Sequence, residues 1–155
     1  MQVKRKLQEV PLLIYFSRVL ALAVSCFLPF HPASAEPSLL APEKAFIASA
    51  FYSAEKVLVR YKIAPGYKLY KDRLFFKINT TAAQITSVTF PPSEKKYDKA
   101  LDAVLETYRN EAVVEVSVKG LPGANFLFTA NSQGCADVGV CYPPMQNTFA
   151  IQIPK

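Results

Sequence analysis

One histidine, His31, and three cysteines are all the imidazole and thiol ligands this 155-residue chain carries. A zinc site draws about four donors from Cys, His or carboxylates, so so small a supply argues against one. His31 also precedes the export cleavage point argued below, which leaves histidine-dependent nucleophilic catalysis without a residue to run on. Lys/Arg clusters interleaved with aromatics are missing, and nucleic-acid binding has little support without them. There is no internal repeat and no low-complexity tract. The longest apolar run, over residues 19–30, falls short of the about 20 residues that span a bilayer comfortably.

What is present begins with an export signal. Lys4, Arg5, Lys6 and Arg18 supply a basic region ahead of the apolar run, and Ala33-Ser34-Ala35 matches the small-x-small pattern of a cleavage site. Cleavage is predicted after Ala35. The rival is an uncleaved anchor, in which the mostly apolar residues 11–16 lengthen the run. A lipidated Cys26 is a lesser alternative, because Ala23-Val24-Ser25-Cys26 lacks the usual leucine and Phe27-Leu28 continue the apolar run. Residues 1–35 are therefore read as a signal peptide and 36–155 as one domain, long enough to hold its own core. Its 14 basic and 11 acidic side chains leave a charge near +3. Export places Cys135 and Cys141 in an oxidising compartment, where disulfides persist.

After a loose lead-in over residues 36–43, the dominant period is two. Val57, Val59, Tyr61 and Ile63 share one face while Arg60 and Lys62 share the other, the pattern of a half-buried strand. Pro65-Gly66 signals a turn, and the aromatic-rich residues 67–79 read as two short strands or one bent one. Further strands are predicted over 85–90, 112–118, 125–130 and 148–153, with Pro91-Pro92 and Leu121-Pro122-Gly123 as punctuation. Seven or more short strands with Pro/Gly turns indicate an all-β, immunoglobulin-like antiparallel β-sandwich. Residues 97–108 are the exception: Ala100, Leu101, Val104 and Leu105 fall at helix-like spacing, so a helical turn or a loop is expected there.

Cys135 and Cys141 have five residues between them, which fits neither a zinc knuckle nor a two-residue thioredoxin-type gap. A disulfide needs Cα atoms roughly 5.5 Å apart, whereas six extended steps would separate them by about 20 Å. The chain must fold back, and Asp137 and Gly139 are residue types that permit a reversal. As a staple the bond would close a loop worth only roughly 2.4 kcal/mol. As a redox pair it would need an accessible sulfur, an attacking thiolate and a resolving thiol close by. No Lys, Arg or His lies within the loop to favour a thiolate, and Asp137 would disfavour one. On the residues alone, both readings stay open.

The run Gln133-Gly134-Cys135-Ala136-Asp137, with Gly139 and Cys141-Tyr142-Pro143-Pro144, resembles the active-site segment of the N-terminal periplasmic domain of DsbD, the bacterial thiol:disulfide interchange protein. Gly66-Tyr67-Lys68-Leu69-Tyr70 resembles the family's Gly-Tyr-x-Leu-Tyr, and Glu106-Thr107-Tyr108-Arg109 its Glu-x-Tyr-Arg. The resemblance covers residues 40–153. It implies a periplasmic, immunoglobulin-like protein-disulfide reductase domain, working as a monomer without a cofactor. Its electron donor would be a thioredoxin-like domain or a DsbD-type membrane protein. Its acceptors would be periplasmic disulfide isomerases and thioredoxin-like proteins of cytochrome c maturation. Carried over, Cys141 exchanges with partners and Cys135 resolves. Tyr70 sits beside the pair, or is simply a core or sheet-face tyrosine. Tyr70, Val140 and Tyr142 would form the recognition surface, since small transient interfaces use aromatic anchors.

Two departures accompany the likeness. The family covers its cysteines with a cap loop bearing an acidic pair, two aromatics and a glycine, whereas here the stretch is Lys99-Ala100-Leu101-Asp102-Ala103. Leu101 reads first as the apolar face of a short helix; alternatively it is a smaller lid, or the chain lacks a comparable cap. The sequence also ends at Lys155 without the membrane and C-terminal thioredoxin-like domains of full-length DsbD. A free-standing domain and a piece of a longer chain are both compatible with that. The rivals from other classes are a non-catalytic immunoglobulin-like binding module with a structural loop disulfide, and an adaptor that has lost its relay.

Overall fold

The computed structural model describes residues 38–99 and 101–155. The expected signal peptide, its cleavage point, Cys26 and His31 lie outside the described residues.

Alternation of apolar and polar side chains builds most of the chain into antiparallel strands. β1 (Phe46–Ser53), β2 (Lys56–Ile63), β8 (Glu111–Gly120) and β5 (Ala83–Thr89) form one sheet in the order β1-β2-β8-β5. β10 (Gly134–Ala136), β3 (Tyr67–Tyr70), β7 (Ala103–Tyr108) and β6 (Glu94–Asp98) form a second, in the order β10-β3-β7-β6. β11 (Met145–Gln152), β9 (Asn125–Ser132) and β4 (Phe75–Ile78) form the third. Every pairing among them is antiparallel. The fold is all-β and immunoglobulin-like.

The core follows the period of two. Val57, Val59 and Tyr61 on β2 lie directly opposite Val116, Val114 and Ala112 on β8, and all six are buried. Phe126, Phe128 and Ala130 of β9 are buried as well, and Phe128 stacks on Phe76 of β4 with centroids 5.8 Å apart. A fully buried Val, Ile or Phe contributes about 1.5–3 kcal/mol, so a few such residues outweigh the loop disulfide. The aromatic stretch resolves into two short strands, β3 and β4, separated by a 3-10 turn at Lys71–Arg73.

The structure corrects two expectations. Among the described residues of 97–108 there is no helix. They are the end of β6, turn residues 99, 101 and 102, and β7, with Lys96 opposite Leu105 and Tyr97 opposite Val104. Asp98 explains the turn, because its Oδ1 accepts the Leu101 N–H at 3.3 Å and so offers that amide a non-helical partner. Asp102 follows at φ 50°, a conformation that Asp tolerates and that breaks a right-handed helix. Leu101 is thus a turn residue, not the face of a helix.

The lead-in is also less loose than expected. Pro42–Ala45 make one helical turn, α1, with Pro at its start, where the missing N–H costs nothing. Ahead of it, the Leu40 N–H donates to the Tyr67 hydroxyl at 2.7 Å, and the Leu40 carbonyl accepts from the Tyr142 hydroxyl at 2.6 Å. β1, β6, β7 and β10 complete the sheets without having been read from the sequence.

Candidate functional site

β10 is three residues long and sits at the edge of its sheet, paired only with β3. It turns back at once. The Gly139 N–H reaches the Ala136 carbonyl at 3.0 Å, and the Ala136 N–H reaches the Val140 carbonyl at 2.8 Å. Gly139 has φ 90°, the left-handed value that closes a three-residue hairpin loop. The Asp-Val-Gly of the loop is therefore a turn with a mechanism. The Tyr142 N–H donates to the Gly134 carbonyl at 3.0 Å on the other side. Between these bonded positions, Cys135 and Cys141 face each other in an antiparallel bridge with Cα atoms 4.0 Å apart. Opposed residues approach closest at such non-hydrogen-bonded positions. The two sulfurs are joined as a disulfide of 2.05 Å.

The two sulfurs differ in access. Cys135 is 1% exposed, held in β10 with buried Gly134 and Ala136 on either side. Cys141 is exposed, as are Asp137, Val138, Gly139 and Val140 of the loop. Behind Cys135 stands Tyr70, itself 2% exposed. Its hydroxyl lies 3.2 Å from Cys135 Sγ and 2.8 Å from Asp98 Oδ2. Burial first, then the bond to Asp98 and its charge, push Tyr70 ionisation above its ordinary value, so it stays a hydrogen-bond donor. Tyr70 is thus a neighbour of the pair. It lies below the surface, so the exposed apolar surface around the loop narrows to Val138 and Val140, with Tyr142 half-buried beside them.

Tyr142 belongs to an aromatic group at the base of the loop. Phe46 meets Tyr67 and Tyr142 edge-on, with centroids 5.8 and 5.6 Å apart. Such pairs add roughly 0.5–1.5 kcal/mol beyond burial. The Gln133 amide donates to the Tyr142 carbonyl at 3.0 Å, so the segment just after Cys141 is pinned from several sides.

Asp137 does not stand alone as a negative charge beside the thiols. Arg109 holds it with both guanidinium arms, Nη2 on Oδ1 at 2.7 Å and Nη1 on Oδ2 at 2.9 Å. That bond, more than the general charge of Arg109, draws the Asp137 carboxyl below its ordinary range, against a smaller opposing effect of burial. A depressed carboxylate stabilises above its unfolded pKa of about 3.9, and that contribution is lost as pH falls through the folded value. Arg109→Met should therefore speed amide hydrogen exchange in residues 137–140, and acidification below about pH 4 should do the same in the unaltered protein. Global stability should change by less than about 1 kcal/mol, because the pair is half exposed.

The sequence reading missed Asp98, Lys68 and Phe46. Asp98 is buried at the end of β6 and binds Lys68 Nζ through Oδ2 at 2.7 Å. The turn that follows it carries Leu101, exposed, and a bond from the Tyr97 hydroxyl to Asp102. Among the described residues, no group of three or more His, Cys, Asp or Glu is placed to hold a metal ion.

The family model described as thiol:disulfide interchange protein DsbD, N-terminal, matches residues 36–153. The chain belongs to the DsbD N-terminal family. The DsbD of Ralstonia nicotianae is 34% identical over 149 residues, covering 96% of this chain and 23% of that protein. The DsbD of Neisseria meningitidis serogroup B is 34% identical over 113 residues, 73% of this chain and 18% of that protein. The chain thus spans about a quarter or less of the curated DsbD proteins it matches. The crystal structure of the Neisseria meningitidis DsbD N-terminal domain in the reduced form superposes with a TM-score of 0.68 at 32% identity, covering 76% of this chain and 92% of that one. The DsbD N-terminal domain in its complex with the PilB N-terminal domain, from the same organism, gives 0.63 at 32% identity, over 73% and 87%.

Proposed function

We propose that this chain is a periplasmic thiol–disulfide exchange domain, cycling between a Cys135–Cys141 disulfide and a dithiol. The observation that carries the reading is the asymmetry of the pair: one cysteine exposed, its partner buried with its sulfur against a tyrosine hydroxyl. Exchange needs one sulfur that a partner can reach and a second that only its neighbour can reach. A staple requires no such difference. The relative crystallised in the reduced form supports a cycle with a dithiol state.

A donor thiolate attacks Cys141 Sγ. The donor–Cys141 bond forms as the Cys135–Cys141 bond breaks, and the electron pair of the broken bond stays on Cys135 as a thiolate. A second donor thiolate then attacks the donor sulfur of the mixed disulfide, and Cys141 leaves. The donor has lost two electrons and two protons and has become a disulfide, and the domain has gained both. Downstream the polarity reverses: Cys141 attacks an oxidised client, and Cys135 displaces it.

The export signal over residues 1–35, cleaved after Ala35, would deliver the domain over 36–155 to the periplasm. A thioredoxin-like domain or DsbD-type membrane protein would reduce it. Periplasmic isomerases and cytochrome c maturation proteins would oxidise it. The complex of the meningococcal relative with a PilB N-terminal domain supports small protein partners. Val138, Val140 and Tyr142 are the apolar contacts such a partner would cover.

Equilibration with glutathione, and stopped-flow exchange with reduced thioredoxin, test this. A potential above about −300 mV with measurable exchange is expected. A potential well below that, with no exchange, would make the bond a structural one.

A further inference from the structure

Lys68 fills the open position of Gly66-Tyr67-Lys68-Leu69-Tyr70. In the β3–β10 register it lies directly opposite Cys135. Directly opposed residues share a face of the sheet, with Cβ atoms about 4.5–5.5 Å apart. The Lys68 ammonium ends 2.7 Å from Asp98 Oδ2, and the two side chains are only 16% and 3% exposed. The same oxygen accepts the Tyr70 hydroxyl at 2.8 Å, and that hydroxyl lies 3.2 Å from Cys135 Sγ. Three contacts join ammonium to sulfur, within about 10 Å, the Debye length at 0.1 M salt. Burial weakens screening further.

The charge balance here matters to the leaving sulfur. A buried carboxylate this close, left to itself, opposes a thiolate on Cys135. It also holds the single hydroxyl hydrogen of Tyr70, because a carboxylate is a stronger acceptor than a disulfide sulfur. An ammonium on the same oxygen cancels that charge and competes for that lone pair. Resting on the exchange reading above, we propose that Lys68 is a positioning residue that makes Cys135 a competent leaving group, by neutralising Asp98 and releasing the Tyr70 hydroxyl to the sulfur. As the donor thiolate bonds to Cys141, the electron pair of the broken S–S bond passes to Cys135 Sγ. The Tyr70 O–H turns from Asp98 to that thiolate without giving up its proton, and Asp98 remains a carboxylate paired with Lys68. Other charges acting here are Asp137, held by Arg109 and further stabilised by Lys68 and Lys96, and Asp72, whose charge like that of Asp137 disfavours ionisation of Tyr70.

The Cys135 thiol is titrated by ultraviolet thiolate absorbance in protein carrying Cys141→Ala, and exchange with reduced thioredoxin is timed in protein with both cysteines. Lys68→Met should raise the Cys135 titration by about one pH unit, a tenfold loss of thiolate at a given pH. It should also slow exchange about tenfold. Lys68→Arg keeps the charge and should hold both within about twofold. Lys68→Met combined with Asp98→Asn removes both charges and should recover most of the loss, a pattern that lost packing alone would not give. Should Lys68→Met not fold, Asp98→Asn alone decides, by lowering the Cys135 titration. An unmoved Cys135 titration in the deciding variant, or no recovery in the double variant, overturns the role of Lys68. Failure of the unaltered protein to exchange would instead overturn the functional reading, while the titration still judges Lys68.

Discussion

Cys141→Ala is expected to form no mixed disulfide with a single-cysteine thioredoxin supplied as its thionitrobenzoate disulfide, whereas Cys135→Ala should displace the thionitrobenzoate and accumulate one to near stoichiometry. Both variants lose the same cross-link and the same short closed loop. Each should therefore lose about the same stability, roughly 2–3 kcal/mol in the chain-entropy account. Equal destabilisation with opposite exchange behaviour assigns the exchanging and resolving roles, while the potential and exchange rate of the unaltered protein separate a redox couple from a staple. The direction follows from access. Cys141 is exposed to an approaching partner, whereas Cys135 is buried in β10 with the Tyr70 hydroxyl against its sulfur. Once Cys141 is bonded to a client, Cys135 is the sulfur of this domain placed to displace it, the two Cα atoms being 4.0 Å apart. Gel shift under non-reducing conditions and mass spectrometry of the adduct read the outcome. A mixed disulfide in Cys141→Ala and none in Cys135→Ala would reverse the roles.

Gly134→Ala is expected to be more damaging to stability than loss of the disulfide. A Cβ on Gly134 would stand 2.5 Å from the Lys68 carbonyl oxygen and 2.6 Å from two ring carbons of Phe46. Neither neighbour can withdraw easily. The carbonyl belongs to β3, with Gly134 opposite Leu69, and Phe46 is buried between Tyr67 and Tyr142. Overpacking of this kind costs typically 1–3 kcal/mol, and contact with backbone places it at or above the upper end. A fall in Tm of about 10 °C or more should follow. Gly139→Ala provides the contrast: its Cβ would meet nothing within 4 Å, and only its φ of 90° opposes a side chain. About 1 kcal/mol is expected there. Phe46→Leu in the Gly134→Ala background should give only partial relief, because the Lys68 carbonyl remains. Equal losses at Gly134 and Gly139 would show that close approach of β10 to β3 and Phe46 is not what Gly134 provides.

The core strands were legible because each reports itself locally. Val57 to Ile63 and Ala112 to Val118 alternate over a full strand length, and burial on one face follows from that alternation alone. The hairpin from β6 to β7 was not legible for the opposite reason. Ala100, Leu101, Val104 and Leu105 mimic helical spacing over a single turn, too short a stretch for periodicity to decide. Asp98 settled it by accepting a hydrogen bond from the Leu101 amide, which no pattern announces. β10 has three residues and leaves no period at all; its place is set by pairing with β3, more than sixty residues earlier in the chain.

The sequence alone singled out Cys135 and Cys141 as the candidate pair and required the chain to reverse between them if they are to bond. Two cysteines with Asp and Gly between them can meet only across a tight turn, and nearest-neighbour geometry enforces this whatever the rest of the fold does. It could not determine the electrostatics of the site. Within the loop, Asp137 is an unopposed negative charge; in the folded domain Arg109 holds it, and Lys68, Asp98 and Tyr70 converge on Cys135 from two other strands. Nor could it say which sulfur is open, because exposure depends on what packs over each atom. Coulomb interactions and burial act through space over a few ångströms, and only the tertiary structure brings residues distant in sequence within that range.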